Sequence, residues 1–142
     1  MASKDYQCAF QQYKHVADIG IDTHATDSIS LYTKAAWHAG KLIYYEKVVT
    51  ATVDEMMTFL LYSALYGSHI DAILLLGSIY YHGCNDIDIN MIKSIAWYYE
   101  GVHQCQSNES LIKLLHGLIQ LYTNIEMKTT YTQDGIILIE LI

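Results

Sequence analysis

The sequence contains no proline, so the residue that most strongly breaks helices is missing from all 142 positions. Its apolar segments place their large residues three and four positions apart. This spacing is typical of helices, whereas strands alternate apolar and polar residues. We therefore predict an all-α fold of about six to seven helices.

Charge is also scarce. Charged residues make up 16% of the chain and hydrophobic residues 52%, whereas soluble domains are typically about 25% charged. A surface with so few charges leaves apolar and tyrosyl side chains in contact with water, which is typical of a contact site. We expect other protein subunits as partners, in a hetero-complex.

Basic residues are few and scattered. The chain has eight Lys and Arg against fifteen Asp and Glu, a formal net charge of -7. No basic stripe is present that would neutralise successive phosphates, so the sequence argues against a nucleic-acid partner.

Three cysteines, Cys8, Cys84 and Cys105, are odd in number and far apart, which is typical of reduced thiols inside a cell. The first residues show neither the apolar segment of a secretory signal nor an Arg-rich transit pattern. We expect an intracellular protein, cytoplasmic by default. Import into an organelle such as the mitochondrion by an unusual signal stays open.

One segment, 59–81, is long and apolar enough to suggest a membrane span. His69 and Asp71 fall in its middle, and Gly67 and Ser68 form a turn signal there. We interpret the segment as two buried helices. A membrane-associated accessory subunit is retained as an alternative.

Turn and capping residues predict the first two helices. The first covers about Ser3 to Val16 and ends at 18–20, where Gly20 is the stop signal. Asp27 is the expected N-cap of a second helix over about 28–47. Small residues form much of the buried stripe predicted for that helix, which consists of Leu31, Ala35, Ala39, Leu42 and Glu46, with Tyr32, Ala36 and Ile43 on its flanks.

Four further helices follow. Thr52 precedes the third, which stops at Gly67; Asp71 caps or opens the fourth, and either Asp88 or Asn90 caps the fifth. The expected inner face of the fifth helix is Ile92, Ile95, Ala96 and Tyr99. The sixth, ending near residue 124, is expected to bury Leu111, Leu114, Leu115, Leu118 and Tyr122.

The last segment, 127–142, differs in composition. Its threonines favour extended structure, Asp134 and Gly135 mark a turn, and residues 136–142 form an apolar run. We predict one domain over 1–142, with this segment packed on the domain or on a partner. Helix and strand both stay open for the apolar run.

A short pattern recurs along the chain. Gly40 and Gly77 lie thirty-seven positions apart, and each precedes a Tyr-Tyr pair. Gly117 and Tyr122 form a looser third copy. The clearest unit, 72–102, carries small, aromatic and turn residues in a fixed order: Ala72, Leu76, Gly77, Tyr80, Gly83, Asp86 or Asp88, Lys93, Trp97 and Gly101.

This order resembles the Sel1-like repeat, a relative of the tetratricopeptide repeat, with degenerate copies on either side. Ser94 stands where that pattern has alanine. The resemblance implies a short right-handed stack of antiparallel helical hairpins, in which these residues serve packing and the protein binds other proteins. A non-repeat helical bundle is the alternative fold.

Motifs for chemistry are missing from the sequence. It has no nucleophile elbow, no phosphate-binding glycine loop, no dinucleotide fingerprint and no histidine pair with metal-ligand spacing. We predict no catalytic, cofactor-binding or metal-binding residues. The competing hypothesis is a small helical enzyme or ligand-binding bundle in which His38, His82 or His103 meet acids in a pocket.

These features together predict a noncatalytic protein-protein interaction module, either an adaptor or a structural subunit. Its expected contact residues are aromatic or belong to the apolar end of the chain: Tyr45, Tyr81, His82, Tyr98, Ile137, Ile139 and Leu141.

Overall fold

The computed structural model describes residues 4–84, 86–127, 129–131 and 137–139. Six helices lie within these residues, which confirms the predicted all-α fold and its number of helices. They are α1 (Lys4–Thr23), α2 (Ile29–Tyr44), α3 (Val53–Gly67), α4 (Ile70–His82), α5 (Met91–Gln104) and α6 (Asn108–Met127).

Two helices begin at side-chain caps: Thr52, which the sequence places just before α3, and Asn90, one of the two caps left open for α5. Thr52 Oγ1 accepts a hydrogen bond of 3.2 Å from the main-chain N–H of Glu55, at the start of α3. Asn90 Oδ1 accepts one of 3.1 Å from the N–H of Lys93, at the start of α5. Each cap satisfies a donor that the first turn leaves without a helical partner.

The predicted bounds of α1 and α2 are wrong. α1 continues through Gly20 to Thr23, because this glycine is a packing residue: a β-carbon there would lie 2.5 Å from side-chain atoms of Tyr32 and Tyr62. α2 begins after Ser28, whose φ of 61° is left-handed and whose side chain makes no cap, so Asp27 is not the N-cap. α2 also ends at Tyr44, three residues earlier than predicted.

The chain divides into two compact units, Met1–Ala72 and Ile73–Ile142, and the boundary lies within α4. In the first unit, α2 packs against both α1 and α3. Gly40 permits this close approach, since a β-carbon there would lie 2.8 Å from the Leu60 side chain. Of the stripe predicted for α2, Ala35 and Ala39 are buried, as are the flanking Ala36 and Ile43, whereas Leu31 is exposed.

In the second unit, α5 packs against α6, and the ring of Tyr98 lies between two glycines. A β-carbon would lie 2.8 Å from this ring at Gly77 in α4 and 2.7 Å from it at Gly117 in α6. The residues of α5 that are buried are Ser94, Tyr98 and Gly101. The predicted inner face of α5 is therefore wrong, with Ile92, Ala96 and Tyr99 exposed.

The turn between α4 and α5 begins at Gly83, whose φ of 76° favours glycine. Past Met127, β1 (Thr129–Tyr131) pairs antiparallel with β2 (Ile137–Ile139), and Tyr131 faces Ile137 in the register. The apolar run thus contains a strand. The predicted turn at Asp134 and Gly135 lies outside the described residues, as does Leu141.

Candidate protein-binding surface

Helix α6 carries two apolar stripes. The first, which includes Leu114, Leu118 and Leu121, is buried. The second consists of large side chains three and four positions apart, which places them along one side of the helix: Ile112, Leu115, Ile119 and Tyr122. These four are 42–67% exposed. A helix that packs on one side requires a single apolar stripe, so the second stripe of α6 is not accounted for by packing within the described residues and is exposed to water.

Helix α5 extends this exposed stripe. The phenol oxygens of Tyr99 and Tyr122 are 2.6 Å apart and share a hydrogen bond, which joins the outer sides of the two helices. Ile92 lies two turns before Tyr99 on the same side of α5, and both residues are exposed. We name the six side chains the α5–α6 outer surface: Ile92, Tyr99, Ile112, Leu115, Ile119 and Tyr122.

The bond between the tyrosines also affects their chemistry. It raises the pKa of Tyr122, with smaller contributions from burial and from the nearby charge of Tyr99. The phenol of Tyr122 therefore stays neutral and keeps its proton well above neutral pH. The surface thus offers apolar side chains and the neutral hydroxyl of Tyr122, a combination that is common in interface cores.

Tyr81 lies beside this surface, and it is one of the residues predicted to contact a partner. Its phenol is hydrogen-bonded to the side-chain amide of Asn124. It lines a cavity of about 270 Å³ that also includes Ile119, a member of the α5–α6 outer surface. The ring of His82, which is exposed, meets the Tyr81 ring edge to face at 4.6 Å.

The other predicted contact residues lie in different surroundings. Tyr45 is exposed in the first unit and packs edge to face on Tyr44. Tyr98 is buried between its two glycines, so it is a packing residue and does not belong to a contact surface. Ile137 and Ile139 form the two ends of β2.

The residues assigned to repeat packing occupy varied positions. Ala72, Leu76, Gly77 and Gly101 are buried. Tyr80 and Trp97 are half-buried, and the ammonium of Lys93 lies 5.2 Å from the centre of the Tyr80 ring. Gly83 ends α4 through the hydrogen bond that its N–H donates to the Ile79 oxygen.

The histidines of the first unit pack on aromatic rings. His38 stacks on Tyr13 with ring centres 4.8 Å apart, and His69 stacks on Trp37 at 5.2 Å. Burial lowers the pKa of both imidazoles, and Lys41 lowers that of His38 further. His38 lines a groove of about 260 Å³ in which no described lining residue is an acid. The meeting of His38 with acids, which the competing hypothesis of an enzyme or ligand-binding bundle requires, is therefore not seen in that groove.

In the part of the chain that the structure describes, no group of three or more His, Cys, Asp or Glu residues is placed to hold a metal ion. Within the same residues, no helix combines the length and the apolar character that a membrane crossing requires. No protein-family model, curated protein or solved structure matches this chain.

Sequence reasoning missed Ile112 and Ile119 as surface residues, and its prediction that Leu115 and Tyr122 are buried is wrong, because both are exposed. Their signal is present in the sequence, because apolar residues cover more than half the circumference of α6. This apolar sector is wider than the part of a helix surface that one neighbouring helix covers. The pattern alone leaves undecided which part of the sector faces the core.

Proposed function

We propose that this chain is a noncatalytic protein-protein interaction module, an adaptor or structural subunit of an intracellular hetero-complex, and that the partner covers the α5–α6 outer surface. The observation that carries the proposal is the second apolar stripe of α6, because four large side chains in one row are left in contact with water. Monomeric proteins seldom expose large apolar patches unless these bind something.

The scarcity of charge supports the same proposal. Interface cores are depleted in charged residues and enriched in aromatic ones, and the α5–α6 outer surface contains two tyrosines, three isoleucines and one leucine. The Tyr99 and Tyr122 rings, fixed by their shared hydrogen bond, lose little side-chain freedom on binding. We expect them to contribute a large share of the binding energy.

We further propose that the α4–α5 hairpin is a Sel1-like repeat unit. Two close approaches of glycine to a large side chain support this: Gly77 with Tyr98 and Gly101 with Leu114. Small residues at such points allow neighbouring helices to approach closely, as stacked hairpins require.

The experiment is a native pull-down of the tagged full chain with quantitative mass spectrometry. The test variant is Ile112→Ser with Ile119→Ser, which removes two exposed apolar side chains and leaves the core of α6 intact. The matched control is Leu31→Ser with Val49→Ser, which removes two apolar side chains of the first unit that are also exposed. We expect a stoichiometric partner with the wild type and the control, and its loss from the test variant.

Two outcomes would overturn the proposal. One is a monodisperse chain that recovers no stoichiometric partner. The other is a partner that the Ile112→Ser, Ile119→Ser variant retains at the level of the control. Circular dichroism of both double variants establishes that the helices remain folded.

A further inference from the structure

The first unit contains a cleft at the end of α1, alongside α3. Its outer part is a groove of about 310 Å³, at the lower end of the range for small-molecule sites. The groove is lined mainly by apolar and aromatic side chains: Ile21, His24, Thr58, Leu61, Tyr62, Leu65 and Tyr66. The four from 58 to 65 are spaced as one side of α3, so a regular helix supplies a fixed wall.

A smaller cavity of about 90 Å³ adjoins this groove. Both spaces are lined by the same three residues, His24, Tyr62 and Tyr66. We therefore treat the groove and the inner cavity as two parts of one cleft. Gly20 lines the inner part. The volume of this inner cavity exceeds that of a single water molecule, so a carbonyl or hydroxyl group fits there.

The phenol of Tyr62 is the feature that points to a ligand. The side chain is 8% exposed, and its hydroxyl has no hydrogen-bond partner among the residues that the structure describes. This hydroxyl lies against Gly20 at the inner cavity, because a β-carbon on that glycine would be 2.5 Å from Oη. Buried polar groups are nearly always hydrogen-bonded, so an acceptor placed in the inner cavity would satisfy this one.

Charge restricts the ligand. Among the described residues that line the two cavities, none is Lys, Arg, Asp or Glu. Burial raises the pKa of Tyr62, and the nearby Tyr32 and Tyr66 raise it further, so its phenol is a neutral donor at physiological pH. An ionised ligand would lose its hydration without meeting an ammonium, guanidinium or carboxylate group, and His24, the imidazole of the cleft, is exposed to solvent.

We infer that the cleft at Tyr62 binds a small neutral molecule that combines an apolar ring or chain with one hydrogen-bond acceptor. The acceptor receives the O–H of Tyr62 in the inner cavity, and the apolar part lies along Ile21, Leu61 and Leu65 in the groove. This site consists only of residues from the first unit, so it stands independently of the proposed protein-binding surface.

The test uses two probes of similar shape, acetophenone, which has a carbonyl acceptor, and isopropylbenzene, which has none. Both are titrated into the full chain labelled with ¹⁵N, and the amide shifts of α3 are followed by NMR. We expect acetophenone to shift the amides around Tyr62 and Leu65. Tyr62→Phe, which removes the donor and keeps the ring, should weaken acetophenone binding about five- to tenfold.

The controls separate the hydroxyl from the apolar groove. Tyr66→Phe removes an exposed neighbouring hydroxyl and should change acetophenone affinity less than about twofold. Isopropylbenzene should bind the wild type and Tyr62→Phe equally. Leu65→Ser alters an exposed groove wall outside the core, so it should weaken both probes and serves as the deciding variant if Tyr62→Phe does not fold.

Three results would overturn the inference. The first is the absence of saturable shifts in α3 with acetophenone. The second is equal acetophenone affinity in the wild type and a folded Tyr62→Phe variant. The third is unchanged binding of both probes in Leu65→Ser.

Discussion

The hydroxyl of Ser94 in α5 donates a hydrogen bond of 2.7 Å to the main-chain oxygen of Gly77 in α4, and both residues are buried. Ser94 is also the position at which the repeat pattern has alanine. This bond therefore joins α4 and α5 by a polar contact in a buried part of the hairpin.

Replacing Ser94 with alanine should lower the free energy of unfolding by about 1 kcal/mol, because it removes one buried hydrogen bond. Ser63 is a matched control, since it is equally buried and its hydroxyl has no partner among the described residues. Ser63→Ala should be neutral or stabilising. Urea denaturation followed by circular dichroism measures both changes. Equal losses in the two variants would contradict the role of the Ser94 bond.

Replacing Gly117 with alanine should destabilise the second unit, because its β-carbon would lie 2.7 Å from the Tyr98 ring. Overpacking of this kind costs about 1–3 kcal/mol, and the better helix propensity of alanine offsets about 1 kcal/mol of it. In a Tyr98→Leu background the same alanine should be neutral or stabilising, since the ring is gone. A double-mutant cycle measured by urea denaturation tests this, and additive effects would show that the ring and Gly117 are not coupled.

Replacing Tyr99 with phenylalanine should lower the pKa of Tyr122 towards its ordinary value of 10.0, because the hydrogen bond to Tyr99 is the main cause of the raised value. In the wild type, the folded pKa lies above the unfolded one. The stabilising contribution of Tyr122 is therefore complete below pH 10.0 and is lost as the pH rises through the folded pKa.

NMR titration of the Tyr122 ring signals measures this shift. Tyr45→Phe is the control, because Tyr45 is an exposed tyrosine of the first unit and its ring packs on Tyr44 instead. The interpretation fails if Tyr45→Phe moves the pKa of Tyr122 as far as Tyr99→Phe does.

Replacing His69 with phenylalanine should reduce the loss of stability in acid. Burial is the main cause that lowers the pKa of His69; Asp71 opposes this effect, while His38, Lys34 and Lys41 add to it. The unfolded chain therefore takes up a proton first as the pH falls below 6.5, and the folded state loses stability from there down to its own lower pKa.

Phenylalanine retains a ring against Trp37 and cannot be protonated. The unfolding free energy, measured by urea denaturation from about pH 7.5 to about pH 5, should fall less in His69→Phe than in the wild type. Gln11→Phe, which introduces a ring at an exposed position of α1 and changes no titratable group, should keep the wild-type slope. An unchanged slope in His69→Phe would exclude this histidine as the source.

Local signals predicted much of the helical framework. Thr52 and Asn90 are caps in the structure, since each carries a side-chain oxygen in front of an apolar run. Gly20 misled the prediction, because a glycine that ends a helix and a glycine that admits a neighbouring side chain look alike in one sequence. Its role depends on Tyr32 and Tyr62, which are distant along the chain.

The candidate sites could not be predicted for the same reason, because they depend on contacts between residues that are far apart in the sequence. Helix α5 has apolar residues on two sides, and the side with more of them, including Ile92 and Tyr99, is exposed. The buried side has Ser94, which is hydrogen-bonded to α4, and Gly101, which packs against Leu114 of α6. The cleft at Tyr62 likewise needs the end of α1 beside α3, which no local pattern specifies.

The enclosure of one tyrosine ring between two glycines also limits how this sequence can diverge. Gly77, Tyr98 and Gly117 lie on three helices, yet the space that they share is fixed. A larger residue at either glycine position is tolerated only together with a smaller one at position 98. Natural variants of this protein should therefore change these three positions jointly, so that covariation among them would reveal the α4–α5–α6 packing from sequences alone.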